Sequence, residues 1–340
     1  MSRPLRVGLA GYGLGGRRFH LPPMLEAGLD VVAVATRDPE RSAHVRADLP
    51  DAVVVPDLEA LLEQDADLVV LATHSGAHTR QALQVIDAGR PVVVDKPLGV
   101  NARQTREVVE AAAAKGVPLS VFQNRRYDPA HATLRSLVDA GRLGDVYRHE
   151  FRWERWRPEP RHRWREEAPA TQGGGILLDL GTHLVDAAVD LFGPIRSVYA
   201  EVVARTTPAD DDDFLACRHE SGVVSHLGTM SASAAPGPRL RVLGSAAAYL
   251  LGEFEEDVLT FPELANASPR HSGWLYRGAE REPVPAVPAA HADYYRGVAR
   301  ALATEDPQAA MPVDPRDAVH VMEVLDAARA SAERGSVEYL

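Results

Sequence analysis

The sequence predicts a two-domain α/β protein: an N-terminal doubly wound parallel sheet, then a C-terminal α/β domain built on a large, open, mostly antiparallel sheet. Three observations predict it. Short β-branched runs alternate with helical patterns over residues 1–122, a glycine-rich turn follows the first of those runs, and from residue 146 longer strand-like runs succeed one another with hairpin punctuation. A chain of 340 residues also exceeds the usual size of one core. The division is expected at 122/123, giving domains 1–122 and 123–340.

In the first domain strands are expected at 5–10, 30–35, 52–55, 68–72, 91–94 and 119–122, with helices at 16–27, 39–47, 58–63, 78–88 and 102–115. Gly89 and Gly116 stand where a helix C-terminus needs a residue that tolerates the left-handed region. The second domain opens with a helix at 129–140. Strands follow at 146–156, 197–206, 214–219, 223–233, 239–244, 247–251 and 258–261, with Glu220-Ser221-Gly222 as a hairpin turn. The proline-rich stretch 283–288 reads as a loop, and helices are expected at 292–303 and 315–334. An open sheet of this size commonly packs its exposed face on another copy, so a homo-oligomer, dimer or tetramer, is expected.

Composition narrows the partners. The apolar fraction of 45% and the charged fraction of 25% are those of an average soluble globular chain. No apolar run approaches the roughly 20 residues that span a bilayer, and residues 1–9 hold no signal-like apolar stretch, so a cytoplasmic chain without a membrane partner is expected. Cys217 is the one cysteine, which excludes an internal disulfide and a multi-cysteine metal cluster. The net charge of -11 argues against nucleic acid, which binds clustered Lys and Arg. Between Arg148 and Arg165 arginines do interleave with tryptophans, a pattern suited to stacking on bases or to gripping a polyol or a cofactor phosphate. Only Lys96 and Lys115 are lysines. Arginine keeps its proton in a protein whereas an ammonium can be tuned, so a retained lysine can mark chemistry. Lys115, beside Gly116 at a helix C-terminus, suits the helix dipole instead.

Gly11-Tyr12-Gly13-Leu14-Gly15-Gly16 follows a strand and opens a helix, the context in which such glycines allow a tight turn and close backbone approach to a dinucleotide pyrophosphate. Cofactor choice turns on the end of the second strand, where an acid would bind the ribose of NAD. Thr36 and Arg37 stand there, and a hydroxyl with a guanidinium suits a 2′-phosphate. NADP is therefore expected, with NAD possible. Asp38, followed by Pro39 and Glu40, reads as a helix N-cap. Lys96, in Val94-Asp95-Lys96-Pro97, lies at the carboxyl end of a parallel strand, the edge where open α/β sheets bind ligands.

Gly173-Gly174-Gly175 reads as a flexible loop before a helix that Gly193 and Pro194 close. Leu180, Leu184, Ala187, Ala188 and Leu191 form its apolar face, and Asp179, His183, Asp186 and Asp190 line an adjacent polar stripe. Asp179 and His183, four residues apart, can touch, which would raise the basicity of the imidazole as a general base requires. Gly181 costs the helix ~1 kcal/mol relative to alanine, so a close approach by ligand or backbone is expected there. No third ligand at metal spacing accompanies them, and no metal is expected.

These segments together resemble the glucose-fructose oxidoreductase, inositol dehydrogenase and rhizopine-catabolism family, Gfo/Idh/MocA. GYGLGG, ATHSGAH with AGRPVVVDKP, FQNRR and GGGILLDLGTHLVD follow in family order and spacing, and FQNRRYD with RWREE is most similar to the NADP-dependent scyllo-inositol dehydrogenase-like members. The resemblance implies a Rossmann domain with a substrate domain, a sugar or cyclitol substrate, and a catalytic set of Lys96, Asp179 and His183. Lys96 would polarise the substrate oxygen and His183 take its proton, with Asp179 orienting His183 or the substrate. Expected cofactor contacts are Gly11, Tyr12, Gly13, Leu14, Gly16, Thr36, Arg37, Thr73, His74, Ser75, His78, Asp95, Lys96, Gln123 and Trp164. Expected substrate contacts are Lys96, Asn124, Arg125, Tyr127, Arg157, Arg163, Asp179 and His183. Asp95 stands where the family commonly has Glu, and His74-Ser75 where it has Pro-Asn. Two other classes stay open: a dinucleotide sensor without turnover, and a hydrolase or lyase that recycles its cofactor internally.

Overall fold

The computed structural model describes residues 3–252 and 260–340. The chain divides into two compact units, Met1–Asn124 with Ala290–Val319 and Arg125–Ala289 with His320–Leu340. Residues 290–319 thus belong with the first unit, a return of the chain that the expected single boundary at 122/123 does not include.

The first unit is built on β1 (Arg6–Ala10), β2 (Asp30–Ala35), β3 (Val53–Val55), β4 (Leu68–Leu71), β5 (Val92–Asp95) and β6 (Leu119–Phe122), all parallel in the order β3-β2-β1-β4-β5-β6. That order doubles back between β1 and β4, and ligands of such sheets bind outside the strand ends at this switch point. Every residue of β4 is buried, as a strand covered on both faces requires. The helices are α1 (Leu21–Glu26), α2 (Pro39–Asp48), α3 (Leu58–Leu62), α4 (Ser75–Asp87) and α5 (Ala102–Lys115). Ile86 of α4 and Val108 of α5 pack on Val69, Leu71 and Val94, each such side chain contributing about 1.5–3 kcal/mol by leaving water. The helix expected at 16–27 is in two pieces, a wide turn over Gly15–His20 and then α1. Pro22 and Pro23 sit in the first turn of α1, where a missing N–H does no harm. The returning segment holds the helix His291–Ala301, which is α9 in chain order. Gln308 of that segment bonds both the N–H and the C=O of Leu119, so it continues the ladder beyond β6.

The second unit begins with α6 (Pro129–Asp139) and β7 (Val146–Glu154), followed by the short α7 (Trp164–Glu167) and the long-buried α8 (Thr182–Phe192). Then come β8 (Ile195–Val203), β9 (Asp212–His219), β10 (Val224–Met230), β11 (Leu240–Gly244), β12 (Ala248–Leu251), β13 (His271–Arg277), β14 (Glu280–Pro285), α10 (Pro315–Arg334) and β15 (Glu338–Tyr339). The sheet order is β14-β13-β12-β11-β7-β10-β9-β8-β15. Among the described residues of this sheet, only the β7–β10 pair is parallel. Burial alternates along β9 and β10 with period two, the mark of a sheet covered on one face. Cys217 lies on the covered face and fills core.

Three expectations need correction. The stretch 283–288 is not wholly a loop, because Pro283 and Pro285 belong to β14, an edge strand where prolines are tolerated. The strand expected at 258–261 lies outside the described residues at 258 and 259, and beyond them Phe261 leads into a short turn, Pro262–Leu264. The run Gly173–Gly175 is not a loose loop: Gly175 sits at φ +90°, and a Cβ there would lie 2.1 Å from Asp210 Oδ1, so the glycines are packed tight.

Candidate active site

In the first unit the chain leaves β1 through Gly11, at φ +94°, where a Cβ would stand 2.6 Å from the carbonyl oxygen of Ala72. Only glycine lets the turn pass under β4 this closely. A Cβ on Gly13 would meet nothing nearer than the Arg41 guanidinium, 3.8 Å away, so the upper rim of the turn is open. Leu14 points outward, 64% exposed. Tyr12 is buried, and its hydroxyl donates to Asp48 Oδ2 at 2.9 Å beside Arg17, so its side chain anchors the turn and only its backbone faces the rim.

At the end of β2, Asp38 caps α2, accepting from the N–H groups of Glu40 (2.9 Å) and Arg41 (3.1 Å). Thr36 Oγ1 accepts from Asp38 N–H, and the largely exposed Arg37 donates to Asp57 Oδ2 at 2.9 Å. The sequence reading missed Arg41. Its position in the first turn of the helix after β2, three residues beyond the cap, was the available signal.

At the ends of β4 and β5, Thr73 donates to Gln81 Oε1, and Ser75 starts α4 one residue after His74. His78 is buried between two carbonyls, Nδ1 2.7 Å from Pro97 O and Nε2 3.1 Å from Thr73 O. Burial lowers its pKa, while the two carbonyls, which can only accept, pull the other way by favouring an N–H on each nitrogen. Asp95 accepts the N–H of Lys96 at 2.8 Å, with His20 Nε2 3.6 Å from its other oxygen. Burial pushes this carboxyl up, but His20, His78 and Lys96 together outweigh it and hold it below the ordinary aspartate value. His20 leans on Phe122 and places Nδ1 2.5 Å from Tyr295 Oη of α9. Lys96, half-buried, precedes a cis peptide to Pro97.

These residues fit a dinucleotide. The open rim at Gly13 is room a Cβ would narrow, and Gln123, at the carboxyl end of β6, has a buried Oε1 without a hydrogen-bond partner among the described residues. Arg37, next to Thr36, and Arg41, beside Gly13, supply cations.

In the second unit, His183 lies on the first turn of α8, 7% exposed, its ring 5.9 Å from that of Trp153 on β7. Guanidinium carbons of Arg125, Arg239 and Arg155 lie 4.9, 5.2 and 5.4 Å from the Trp153 ring centre. Arg125 donates to Asp128 at 3.1 Å. His183, Trp153, Arg125, Arg239 and Asp128 line one small cavity, mostly apolar with planar donors at its wall, room for a hydroxyl-sized group of a larger ligand. The remaining acids of the α8 stripe face inward: Asp186 takes a bidentate pair from Arg126, and Asp190 binds His131 and Arg135. Gly181 admits Leu325 of α10 and Leu177 rather than a ligand. Asp179 lies in a wide turn, Leu177–Gly181, with Arg165 Nε 3.5 Å from its Oδ1. Arg163 and Trp164 begin α7, and both are exposed, while Arg157 hydrogen-bonds through its backbone to Ser231. Asn124 is buried, and Tyr127 closes the turn Asn124–Tyr127 that carries Arg125 and Arg126.

Comparison with known proteins decides the family. Residues 5–123 match the model of an oxidoreductase family with an NAD-binding Rossmann fold, and residues 131–250 match the GFO/IDH/MocA C-terminal domain. Scyllo-inositol 2-dehydrogenase (NADP(+)) IolW of Bacillus subtilis is 32% identical, with 97% of this chain and 94% of the relative covered. The chain is a Gfo/Idh/MocA oxidoreductase. Oxidoreductase YdgJ of Escherichia coli is 35% identical over 98% of both chains. Among solved structures, oxidoreductase YvaA of Bacillus subtilis superposes with a TM-score of 0.85 at 30% identity, over 100% of this chain and 99% of that one. This Gfo/Idh/MocA chain therefore shares both its units with full-length relatives, of which the Bacillus subtilis one is named a scyllo-inositol 2-dehydrogenase, and it matches over part of its length proteins named as sugar reductases.

Proposed function

We propose that this oxidoreductase is NADP(H)-dependent and acts on a ring hydroxyl, or the matching ketone, of a cyclitol or sugar. The observation that carries the reading is the cavity of His183, where that imidazole meets the Trp153 indole and the guanidiniums of half-buried Arg125 and buried Arg239. When bound, the nicotinamide exchanges a hydride with the carbinol carbon. The chain's residues do the rest. His183 takes the hydroxyl proton as general base and returns it in the reverse direction. Lys96 polarises the substrate oxygen, a task for a compact ammonium. Trp153 supplies an apolar platform and Arg125 and Arg239 donate to substrate oxygens, fixing the ring so that one carbon reacts. Asp179 is a positioning residue for this base or for the substrate.

The preference for NADP is supported by Arg37 next to Thr36, by the Arg41 guanidinium beside Gly13, and by Asp38 being engaged in capping rather than offered to a ribose. The name of the Bacillus subtilis relative agrees with both parts of the reading. The test is nicotinamide absorbance with NADP⁺ and, separately, NAD⁺ against inositol isomers and aldoses. Turnover of a cyclitol or sugar with NADP⁺ preferred is expected; cofactor binding with no turnover on any polyol would turn the reading to a sensor or an internally recycling enzyme.

A further inference from the structure

Three strands of the second unit bring together a line of polar side chains that the proposed chemistry does not use. His219 of β9 places Nδ1 2.7 Å from the carbonyl oxygen of Gly193 and Nε2 2.8 Å from Ser225 Oγ of β10. The same Ser225 oxygen lies 3.1 Å from Nδ1 of His149 on β7, its direct partner in the parallel pair. All three side chains are fully buried.

The proton positions along this line follow from its end. A carbonyl can only accept, so His219 carries its proton on Nδ1. Burial lowers the pKa of both imidazoles, that of His149 to about 3, so each ring is neutral and has one N–H. His219 Nε2 is then a bare lone pair, and the Ser225 hydroxyl donates to it. The Ser225 oxygen in turn receives the one N–H of His149, from Nδ1. What remains is His149 Nε2, unprotonated and without a hydrogen-bond partner among the described residues.

His149 lines the same cavity as His183. Arg125 and Arg239 can only donate there, and Asp128 receives Arg125. The cavity measures about 20 Å³, enough for one hydroxyl-sized group. We propose that His149 Nε2 is a specificity-determining acceptor, its tautomer fixed by Gly193, His219 and Ser225, that takes a hydrogen bond from one hydroxyl of the substrate. The inference rests on reading the His183 cavity as the substrate pocket. It makes the ligand class a polyol with a hydroxyl at that position; a deoxy analogue leaves a buried acceptor unpaired, a loss of roughly tenfold to a hundredfold.

The test uses the full chain labelled with ¹⁵N-histidine, with His149→Gln for assignment, and monodeoxy-inositols as kinetic probes. In the wild type His149 is expected to remain neutral with Nε2 unprotonated from pH 5 to 8, and its Nε2 resonance to move when scyllo-inositol is added with NADP⁺. One deoxy-inositol is expected to lose roughly tenfold to a hundredfold in kcat/KM with the wild type, and His149→Gln to flatten that difference. A protonated Nε2, or discrimination unchanged in His149→Gln, would overturn the proposal. A wild type that turns over no polyol but whose Nε2 resonance still moves would refute the reaction and keep the acceptor; with no movement, both fall.

Discussion

Arg126 and Asp186 form a two-pronged ion pair, Nε at 2.9 Å and Nη2 at 2.7 Å, that fastens the turn carrying Arg125 to the helix carrying His183. Asp186 is 2% exposed. Burial pushes its carboxyl above the ordinary aspartate value while Arg126 pulls it down. Removing the arginine therefore strands a buried acid. Arg126→Ala is expected to lose about 3–5 kcal/mol of stability, read as a lowered urea midpoint, and Asp186→Asn in the same background should recover part of it.

Asp190 gives a pH signature. Burial alone would raise its carboxyl, but His131, Arg126 and Arg135 bring it down to about 2. Because the folded value lies below the unfolded one, the stabilisation is present above pH 3.8 and is lost as pH falls toward 2. The loss should be about 2 kcal/mol, and Asp190→Asn, less stable at pH 7, should show a flatter acid limb in denaturation followed by circular dichroism.

Lys96→Ala is expected to cut kcat about 10²- to 10⁴-fold while NADP⁺ still binds, as measured by stopped-flow turnover beside fluorescence titration. A fully active variant would remove Lys96 from the chemistry.

Arg37→Ala and Arg41→Ala should each weaken NADP⁺ by roughly tenfold and leave NAD⁺ nearly unchanged. Equal losses for both nucleotides would place the two guanidiniums away from the 2′-phosphate.

Much of the first unit was legible because its signals are local. Alternating buried runs mark β1 to β6 to within a few residues, and Asp38 and Gly116 cap their helices as their types suggest. The path of residues 290–319 was not legible, since Gln308 completes a ladder with Leu119 across 189 positions of sequence. The strands β13 and β14 were missed for a different reason: Gly273, Gly278, Pro283 and Pro285 carry turn chemistry, and sheet pairing overrides it. At the candidate site, motif spacing pointed to Lys96 and His183. It could not find His149, whose meaning comes from Ser225 and His219 on neighbouring strands, or Arg41, which the helix geometry swings over Gly13.

The two prolines of β14 also bear on how the molecule ends. Standing two residues apart, they turn their nitrogens to the same side of the outermost strand, and neither nitrogen has a hydrogen to give. A stray strand arriving there, from an unfolding neighbour or a nascent chain, would find two gaps in the row of donors it needs. The nine-stranded sheet thus carries its own guard against runaway polymerisation along that border.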